Sequence, residues 1–395
     1  MEKRFNCILY VVTAISLLTC KTSYTPAPVT DVTNYLVVEG MINITDSTYI
    51  KLSRTVGVMS GSAVKPELKA TISIESSQGS SYPLKELSNG SYAASPLNSS
   101  FANQYRLRIK TANGEQYISD FGAALISPPI DSVTWKAKST GLEIYVNTHD
   151  PNKATQYYRW DYTEAWEFHP NYQSSYVSNG DSIKTRTPAQ QIWDCYTGGV
   201  SNTIRMGTSV TLSKDIIDQA VVAVIPTDAE KISVKYSILV KQYALTKDAY
   251  DYWSLLKKNT EQLGSIFDSQ PSASIGNIHC VTSPAESVIG YISAGKTSTQ
   301  RIFITKSQLP LWVTTPFYPV CVSDSVWLRP GLPVGRLLED VVINYNSKLF
   351  RSPLTQQIPI YPFGDSKGDP GYVSADPICV DCTLRGSKTP PSYWK

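Results

Sequence analysis

The chain has 395 residues, a formal net charge of +3 and only 17% charged residues. This near-neutral composition excludes the basic surface that binds nucleic acid. After the N-terminal twenty residues, no segment has the run of about 18 apolar residues that predicts a transmembrane helix. Tyrosine outnumbers phenylalanine by 25 to 9. This ratio is typical of an exported, β-rich protein whose sheets have one buried face and one solvent-exposed face.

The N-terminus predicts a lipoprotein signal peptide over residues 1–19. Two basic residues precede an apolar stretch, Ile8 to Leu18, which is shorter than the roughly 20 residues needed to span a bilayer. Cys20 follows directly, as in a lipobox, so we expect it to become the acylated, palmitate-bearing N-terminus. The two residues before it are larger than is usual there, which leaves an ordinary signal peptide as the alternative. Residues 20–33 are polar and predict a tether.

Residues 34–127 predict an immunoglobulin-like β-sandwich. Tyr105 to Lys110 alternates strictly between apolar and polar side chains, as a strand with one wet face does. The Asn113-Gly114 pair that follows is a strong hairpin signal. Several such strands separated by turns indicate a small sandwich, although the pattern does not fix its topology.

Residues 128–310 predict a second, larger β-rich domain with one helix over 247–264, capped by Thr246. Residues 170–190 are polar and predict a long loop. Later strands are expected around residues 221–225, 234–245, 288–292 and 300–304. One strand has three aromatic residues on the same face, and they are Tyr158, Trp160 and Tyr162.

The last 85 residues, 311–395, contain about half of the prolines and predict an irregular extension packed on the second domain. Exported proteins meet an oxidising compartment, so we expect disulfides to pin this tail. The candidates are Cys195, Cys321, Cys379 and Cys382, with Cys280 left as a free, buried thiol. Three pairings are possible, and a Cys379–Cys382 bridge is disfavoured because it would constrain only a tiny loop.

We find no catalytic motif, no metal-binding spacing and no cofactor fingerprint. The three histidines, His149, His169 and His279, are isolated from one another in the sequence. The Cys-x-x-Cys at 379–382 resembles a zinc or redox motif, but its proline-rich surroundings favour structural disulfides.

Three acids near two tryptophans offer an alternative, because such groupings occur at sugar-binding and glycosidase sites. We predict that the tryptophans are core residues and that no active site lies there. The acids are Asp161, Glu164 and Glu167, and the tryptophans are Trp160 and Trp166.

Six segments, taken in order, resemble domain-of-unknown-function family 4249, a group of Bacteroidetes lipoproteins. They are residues 35–43 (YLVVEGMIN), 126–135 (ISPPIDSVTW), 144–168, 248–272, 287–294 (SVIGYISA) and 379–394 (CVDCTLRGSKTPPSYW). Members are similar to accessory lipoproteins of TonB-dependent outer-membrane transporters. The resemblance implies such a transporter as partner and anchorage in the outer membrane, on its periplasmic or cell-surface face. It carries over no catalytic residues.

The sequence is compatible with three functions. The first is a non-enzymatic lipoprotein that binds an envelope partner through the 170–190 loop or the tail. The second is a surface glycan-binding module or glycan hydrolase. The third is an adhesin or fimbria-like structural protein.

Overall fold

The computed structural model describes residues 34–56, 64–178, 183–212, 215–261, 276–327, 357–364 and 370–395. The predicted signal peptide, tether and Cys20 lie outside these residues. The predicted fold class, mainly β with immunoglobulin-like sandwich architecture and one long helix, is confirmed. The helix begins after Thr246 as predicted, with the backbone N–H of Ala249 donating to the Thr246 hydroxyl (3.2 Å).

The elements follow one another in four stretches. The first stretch contains β1 (Leu36–Asn43), β2 (Thr48–Arg54), β3 (Lys65–Pro66), β4 (Thr71–Ser76), β5 (Ser81–Glu86), β6 (Ser91–Ala94), β7 (Gln104–Lys110), β8 (Gln116–Ser119) and β9 (Gly122–Ile126). The second contains β10 (Ile130–Lys138), β11 (Gly141–His149), β12 (Tyr157–Phe168), β13 (Tyr176–Ser178), β14 (Ile183–Thr185), β15 (Cys195–Val200), β16 (Arg205–Thr208), β17 (Ile216–Ile225) and β18 (Lys235–Leu245). The third contains α1 (Lys247–Glu261), β19 (Ile278–Cys280), β20 (Val288–Ile289), β21 (Ala294–Lys296) and β22 (Ser298–Thr305). The last contains β23 (Ser323–Trp327), β24 (Ile358–Gly364), β25 (Pro370–Ala375) and the single-turn α2 (Pro377–Val380).

The first unit closes on itself because a segment from far along the chain returns to it. Eight strands pair in a ring, in the order β7-β4-β5-β6-β2-β1-β21-β9 and back to β7. The returning strand β21 lies parallel between β1 and β9, so it joins the two edges that an open sandwich would expose. One apolar cluster fills the ring.

This return corrects part of our domain assignment, which placed residues 276–296 in the second domain. Strand β19 pairs with β8, and β20 pairs with β1. The buried Arg54 anchors the same segment, because its guanidinium meets Glu286 (3.3 Å) as well as Glu67 (2.6 Å). Residues 276–296 therefore interrupt the second unit, which contains β10 to β18 and resumes with β22.

The second unit is a β-sandwich. One sheet has the order β10-β11-β17, and the other has the order β15-β12-β18-β22, with β16 also on β12. Successive side chains of β12 point to opposite faces of its sheet. On the face that packs against the other sheet, Tyr158 and Trp160 are fully buried and Tyr162 is partly buried. The three aromatics share one face, as predicted.

A buried hydrogen-bond network holds the link between the two units to the second unit. Gln242 of β18 is fully buried. Its amide nitrogen donates to the carbonyl of Pro128 (2.9 Å) and to the hydroxyl of Thr148 (3.1 Å), and its amide oxygen accepts from Trp160 Nε1 (2.9 Å). Because every one of these groups would be costly to leave unpaired, the network fixes how the second unit leaves the first.

A third, smaller unit forms at the C-terminal end. Strands β23, β25 and β24 make a three-stranded sheet, so the tail is more regular than predicted. The 170–190 segment, predicted as a loop, contains the β13–β14 hairpin and packs against this sheet. The backbone N–H of Tyr172 donates to the carbonyl of Cys379 (3.0 Å), and Ser174 Oγ donates to the carbonyl of Pro359 (2.7 Å).

Candidate functional site

The four predicted cysteines form two disulfides, Cys195–Cys382 and Cys321–Cys379. Cys280 is buried and free, as expected. Cys195–Cys382 links the end of the C-terminal unit to the start of β15. Cys321–Cys379 links the segment that precedes β23 to α2. The bridges cross-link the tail, and residues 170–190, the other region in which we predicted recognition, pack against it.

The three acids near the tryptophans do not form a pair. Asp161 and Glu164 have opposite parity along the regular strand β12, so their side chains leave opposite faces of the sheet. The same holds for Glu164 and Glu167. Asp161 and Glu167 share a face but lie six residues apart, which is about 20 Å along a strand. A glycosidase pair needs a separation of about 5 to 10 Å, so no two of these three acids provide one.

Glu164 is engaged in the sandwich. Its carboxylate meets Lys231 Nζ (2.8 Å) and accepts from the hydroxyl of Tyr236 (2.7 Å). Burial, together with this carboxylate, raises the pKa of Tyr236 well above its ordinary value. These contacts describe a structural ion pair on the inner face of the sheet.

Sequence reasoning missed one cluster that could hold a metal ion. Potential ligand atoms of Glu167, His169 and Asp194 lie within 4.8 Å of one another. They meet because His169 directly follows β12 and Asp194 directly precedes β15, and these two strands pair in antiparallel register. However, His169 Nε2 already contacts Asp194 Oδ1 (2.9 Å), and its ring stacks on Trp193. A hydrogen bond between the imidazole and one carboxylate explains the same geometry.

The other two histidines are surface groups with one acid each. His149 Nδ1 contacts Asp131 (2.8 Å), and His279 Nε2 contacts Asp120 (3.1 Å). Asp131 raises the pKa of His149 through that hydrogen bond. Neither arrangement includes a nucleophile or a second ligand.

The most unusual surface of the described residues is the segment that leads into the C-terminal unit. Five large apolar side chains there face solvent, from 60% exposure for Phe317 to full exposure for Leu311. We call this set the apolar ridge, and its members are Leu311, Val313, Phe317, Val320 and Val322. The cluster could have been suspected from the sequence, because Pro310, Pro316 and Pro319 prevent this apolar segment from pairing as a regular central strand.

The backbone beneath the ridge is fixed at several points. The Thr315 N–H donates to the carbonyl of Asp228 (2.7 Å). The Asn171 side chain donates to the carbonyl of Tyr318 (3.1 Å), and the Tyr172 hydroxyl donates to the carbonyl of Cys321 (2.9 Å). The apolar side chains are thus presented on an ordered support.

An arginine clasp completes this support. Arg385 donates two hydrogen bonds to the carboxylate of Glu230, at 2.9 and 2.7 Å. Its guanidinium lies over the rings of Phe168 (4.2 Å) and Phe317 (4.5 Å). Glu230 also accepts from the Phe317 N–H (3.1 Å). One ion pair therefore joins the second unit, the ridge and the residues after the last disulfide.

These features define a β-rich protein with a closed strand ring, a β-sandwich and a cross-linked C-terminal unit. The chain belongs to the family described as Domain of unknown function (DUF4249), whose model matches residues 21–301. The match covers the first unit and most of the second, ends within β22 and stops before the ridge. The resemblance of residues 379–394 to the family therefore stays a prediction.

Two solved structures show weak similarity. A two-domain fibronectin type III segment of chicken tenascin is 11% identical, covers 53% of this chain and 90% of its own, and has a TM-score of 0.16. The chitinase ChiA74 of Bacillus thuringiensis is 12% identical, covers 44% of this chain and 26% of its own, and has a TM-score of 0.14. A comparison with curated proteins gave no match. Among the described residues, no helix is long and apolar enough to cross a membrane.

Proposed function

We propose that the protein is a non-enzymatic lipoprotein of the outer membrane that binds an integral membrane partner, a TonB-dependent transporter, through the apolar ridge. The observation that carries the proposal is the ordered exposure of the five ridge side chains. Large exposed apolar clusters on a soluble unit mark interaction surfaces. Burying each such side chain contributes about 1.5 to 3 kcal/mol before the costs of association.

The ridge would form the centre of a larger contact. Specific interfaces bury at least about 1,000 Å² in total, which is more than the ridge alone supplies. The hairpin β13–β14 belongs to the same cross-linked unit and offers a polar rim. A central apolar patch with a polar rim is the common anatomy of protein interfaces.

The predicted lipid anchor supports a partner in the membrane. Between Cys20 and Asn34, where the described chain begins, there are fourteen residue steps. A fully extended chain of that length reaches about 50 Å. The folded units would therefore stay close to the bilayer that holds the transporter.

Point variants test the proposal better than a deletion of residues 170–190, because Asn171 and Tyr172 support the ridge backbone. We expect Val313→Ser combined with Val320→Ser to abolish recovery of an outer-membrane barrel with the tagged protein. The control is Leu87→Ser on the first unit, where the side chain is 57% exposed. Recovery that is equal for all three proteins would contradict the proposal.

The anchor is tested separately. We expect Cys20→Ala to release the protein from the membrane fraction, since the acyl chains supply the membrane affinity. Unchanged membrane retention and unchanged mass would show that Cys20 is not lipidated.

A further inference from the structure

A cleft of about 470 Å³ lies between the first two units. Strand β1 forms one side, the outer faces of β12 and β18 form another, and α1 covers an end. This volume lies in the range of pockets that bind small molecules, and such pockets favour domain interfaces. Gly40 allows the close approach of the lining backbone, because its φ of +139° and the carbonyl of Tyr49 leave no room for a side chain.

The wall on β12 and β18 is built from two cross-strand pairs. Arg159 lies opposite Tyr243, and Asp161 lies opposite Lys241. All four leave the face that is opposite to the buried aromatics. The Tyr243 hydroxyl donates to Asp161 Oδ2 (2.6 Å), and Arg159 Nη2 lies 3.4 Å from the same oxygen.

Two aromatic rings hold Arg159 in place. Its guanidinium carbon lies 4.1 Å from the Tyr243 ring centre and 4.4 Å from that of Trp253 on α1. Its Nε is buried and has no hydrogen-bond partner among the described residues. A buried donor without a partner is costly, so the stacking on both rings holds Arg159 in place at the expense of this one hydrogen bond.

The charges of the lining balance. Arg159 and Lys241 are positive, and Asp161 and Glu39 are negative. A strongly anionic or cationic ligand would therefore meet as much repulsion as attraction. A purely apolar ligand would remove these four groups from water without replacing their hydrogen bonds.

We propose that this cleft binds an uncharged oligosaccharide. Sugar hydroxyls both donate and accept, so they match a wall in which cationic donors and carboxylate acceptors alternate. The apolar faces of sugar rings match aromatic rings, and both Tyr49, which is 62% exposed, and the partly exposed Trp253 line the cleft. Buried Gln242 holds the link between the two units through the Pro128 carbonyl, and β21 of the first unit leads directly into β22 of the second. The cleft is therefore preformed rather than assembled by the ligand.

This inference is independent of the apolar ridge, since the two sites share no residue. The proposed site binds sugar without cleaving it. Its carboxylate, Asp161, accepts a hydrogen bond from Tyr243 and forms no catalytic pair with Glu164 or Glu167.

The test is isothermal titration calorimetry of the whole mature protein with neutral penta- and hexasaccharides of glucose, xylose and mannose in both linkage configurations. We expect saturable binding of at least one neutral sugar at micromolar to millimolar concentration. Tyr49→Ala should weaken it at least tenfold, and Arg159→Lys should weaken it similarly, because lysine lacks the planar fork of donors. The control is Tyr361→Ala, which changes a 53% exposed tyrosine in the C-terminal unit.

Three results would overturn the inference. The first is no heat of binding with any neutral sugar at millimolar concentration. The second is tighter binding of oligogalacturonate or chitosan oligomers than of every neutral sugar. The third is binding that Tyr49→Ala leaves unchanged. Tyr49 is exposed, so its loss is not expected to impair folding and the outcome stays interpretable if Arg159→Lys proves unstable.

Discussion

Individual side chains hold the units together through charge as well as packing. Arg385 shows this most clearly, because it combines a two-bond contact to Glu230 with stacking on Phe168 and Phe317. Both partners of the ion pair are largely buried. A lysine keeps the charge but lacks both the second hydrogen bond and the planar stacking surface.

We therefore expect Arg385→Lys to lower the free energy of unfolding by about 1 to 3 kcal/mol, as loss of a charged hydrogen bond commonly does. Urea unfolding followed by tryptophan fluorescence measures this. Arg301→Lys is the control, since Arg301 stacks on Tyr393, donates a hydrogen bond to Ser237 and has no ion pair among the described residues. An equal or smaller loss for Arg385→Lys than for Arg301→Lys would show that the pair with Glu230 adds nothing.

A second prediction at this scale concerns pH. Glu75 receives hydrogen bonds from Arg108 (2.6 Å) and Arg106 (2.7 Å), which hold the pKa of Glu75 below its ordinary value. A carboxylate whose pKa is lower in the folded state stabilises the protein above its unfolded-state pKa, and this contribution is lost as the pH falls through the folded-state value.

Glu75→Gln should therefore unfold at lower urea concentration than the wild type at pH 7. The two midpoints should converge as the pH falls below about 4, the unfolded-state pKa of glutamate. A constant difference between the two proteins from pH 7 to pH 3 would mean that the ionised carboxylate does not carry the effect.

At the scale of elements, the two disulfides stabilise the C-terminal unit. Cys195–Cys382 spans 187 residues and Cys321–Cys379 spans 58. In the chain-entropy model, closing loops of these sizes contributes at most about 5 and about 4 kcal/mol when each is taken alone. The first two units have apolar cores of their own that include neither bridge.

We expect reduction, or Cys195→Ser with Cys382→Ser, to expose the C-terminal unit to protease while the first two units stay resistant. Limited proteolysis with mass spectrometry of the fragments measures this. Cys280→Ala is the control, because Cys280 forms no bridge. Equal resistance of the C-terminal unit before and after reduction would contradict a structural role for the bridges.

Local sequence patterns predicted correctly those helices and strands whose form depends on residues nearby in the sequence. The N-cap at Thr246 and the alternating face of β12 depend on residues a few positions away, and both are present. The return of residues 276–296 to the first unit was missed, because β21 pairs with β1 across some 250 residues and no local pattern encodes that choice. The same reason hid the cluster of Glu167, His169 and Asp194 and the cleft around Arg159, whose members meet only through strand register.

The whole molecule combines two preformed features at different places. The link held by Gln242 and the passage from β21 to β22 connect the first two units around a polar, aromatic cleft. The disulfides and the Arg385 clasp fix the third unit beneath an exposed apolar ridge. Such ordered presentation lowers the entropy cost of binding, which suits a protein that works by contact.

The most direct test of this account is site-specific photo-crosslinking in intact cells. A photoreactive amino acid would replace Val320 on the ridge, and Leu87 on the first unit would serve as the matched exposed control. The account predicts that Val320 forms a crosslink to a TonB-dependent outer-membrane transporter and that Leu87 does not. A Val320 position that crosslinks to no outer-membrane barrel, or the same yield from both positions, would contradict it.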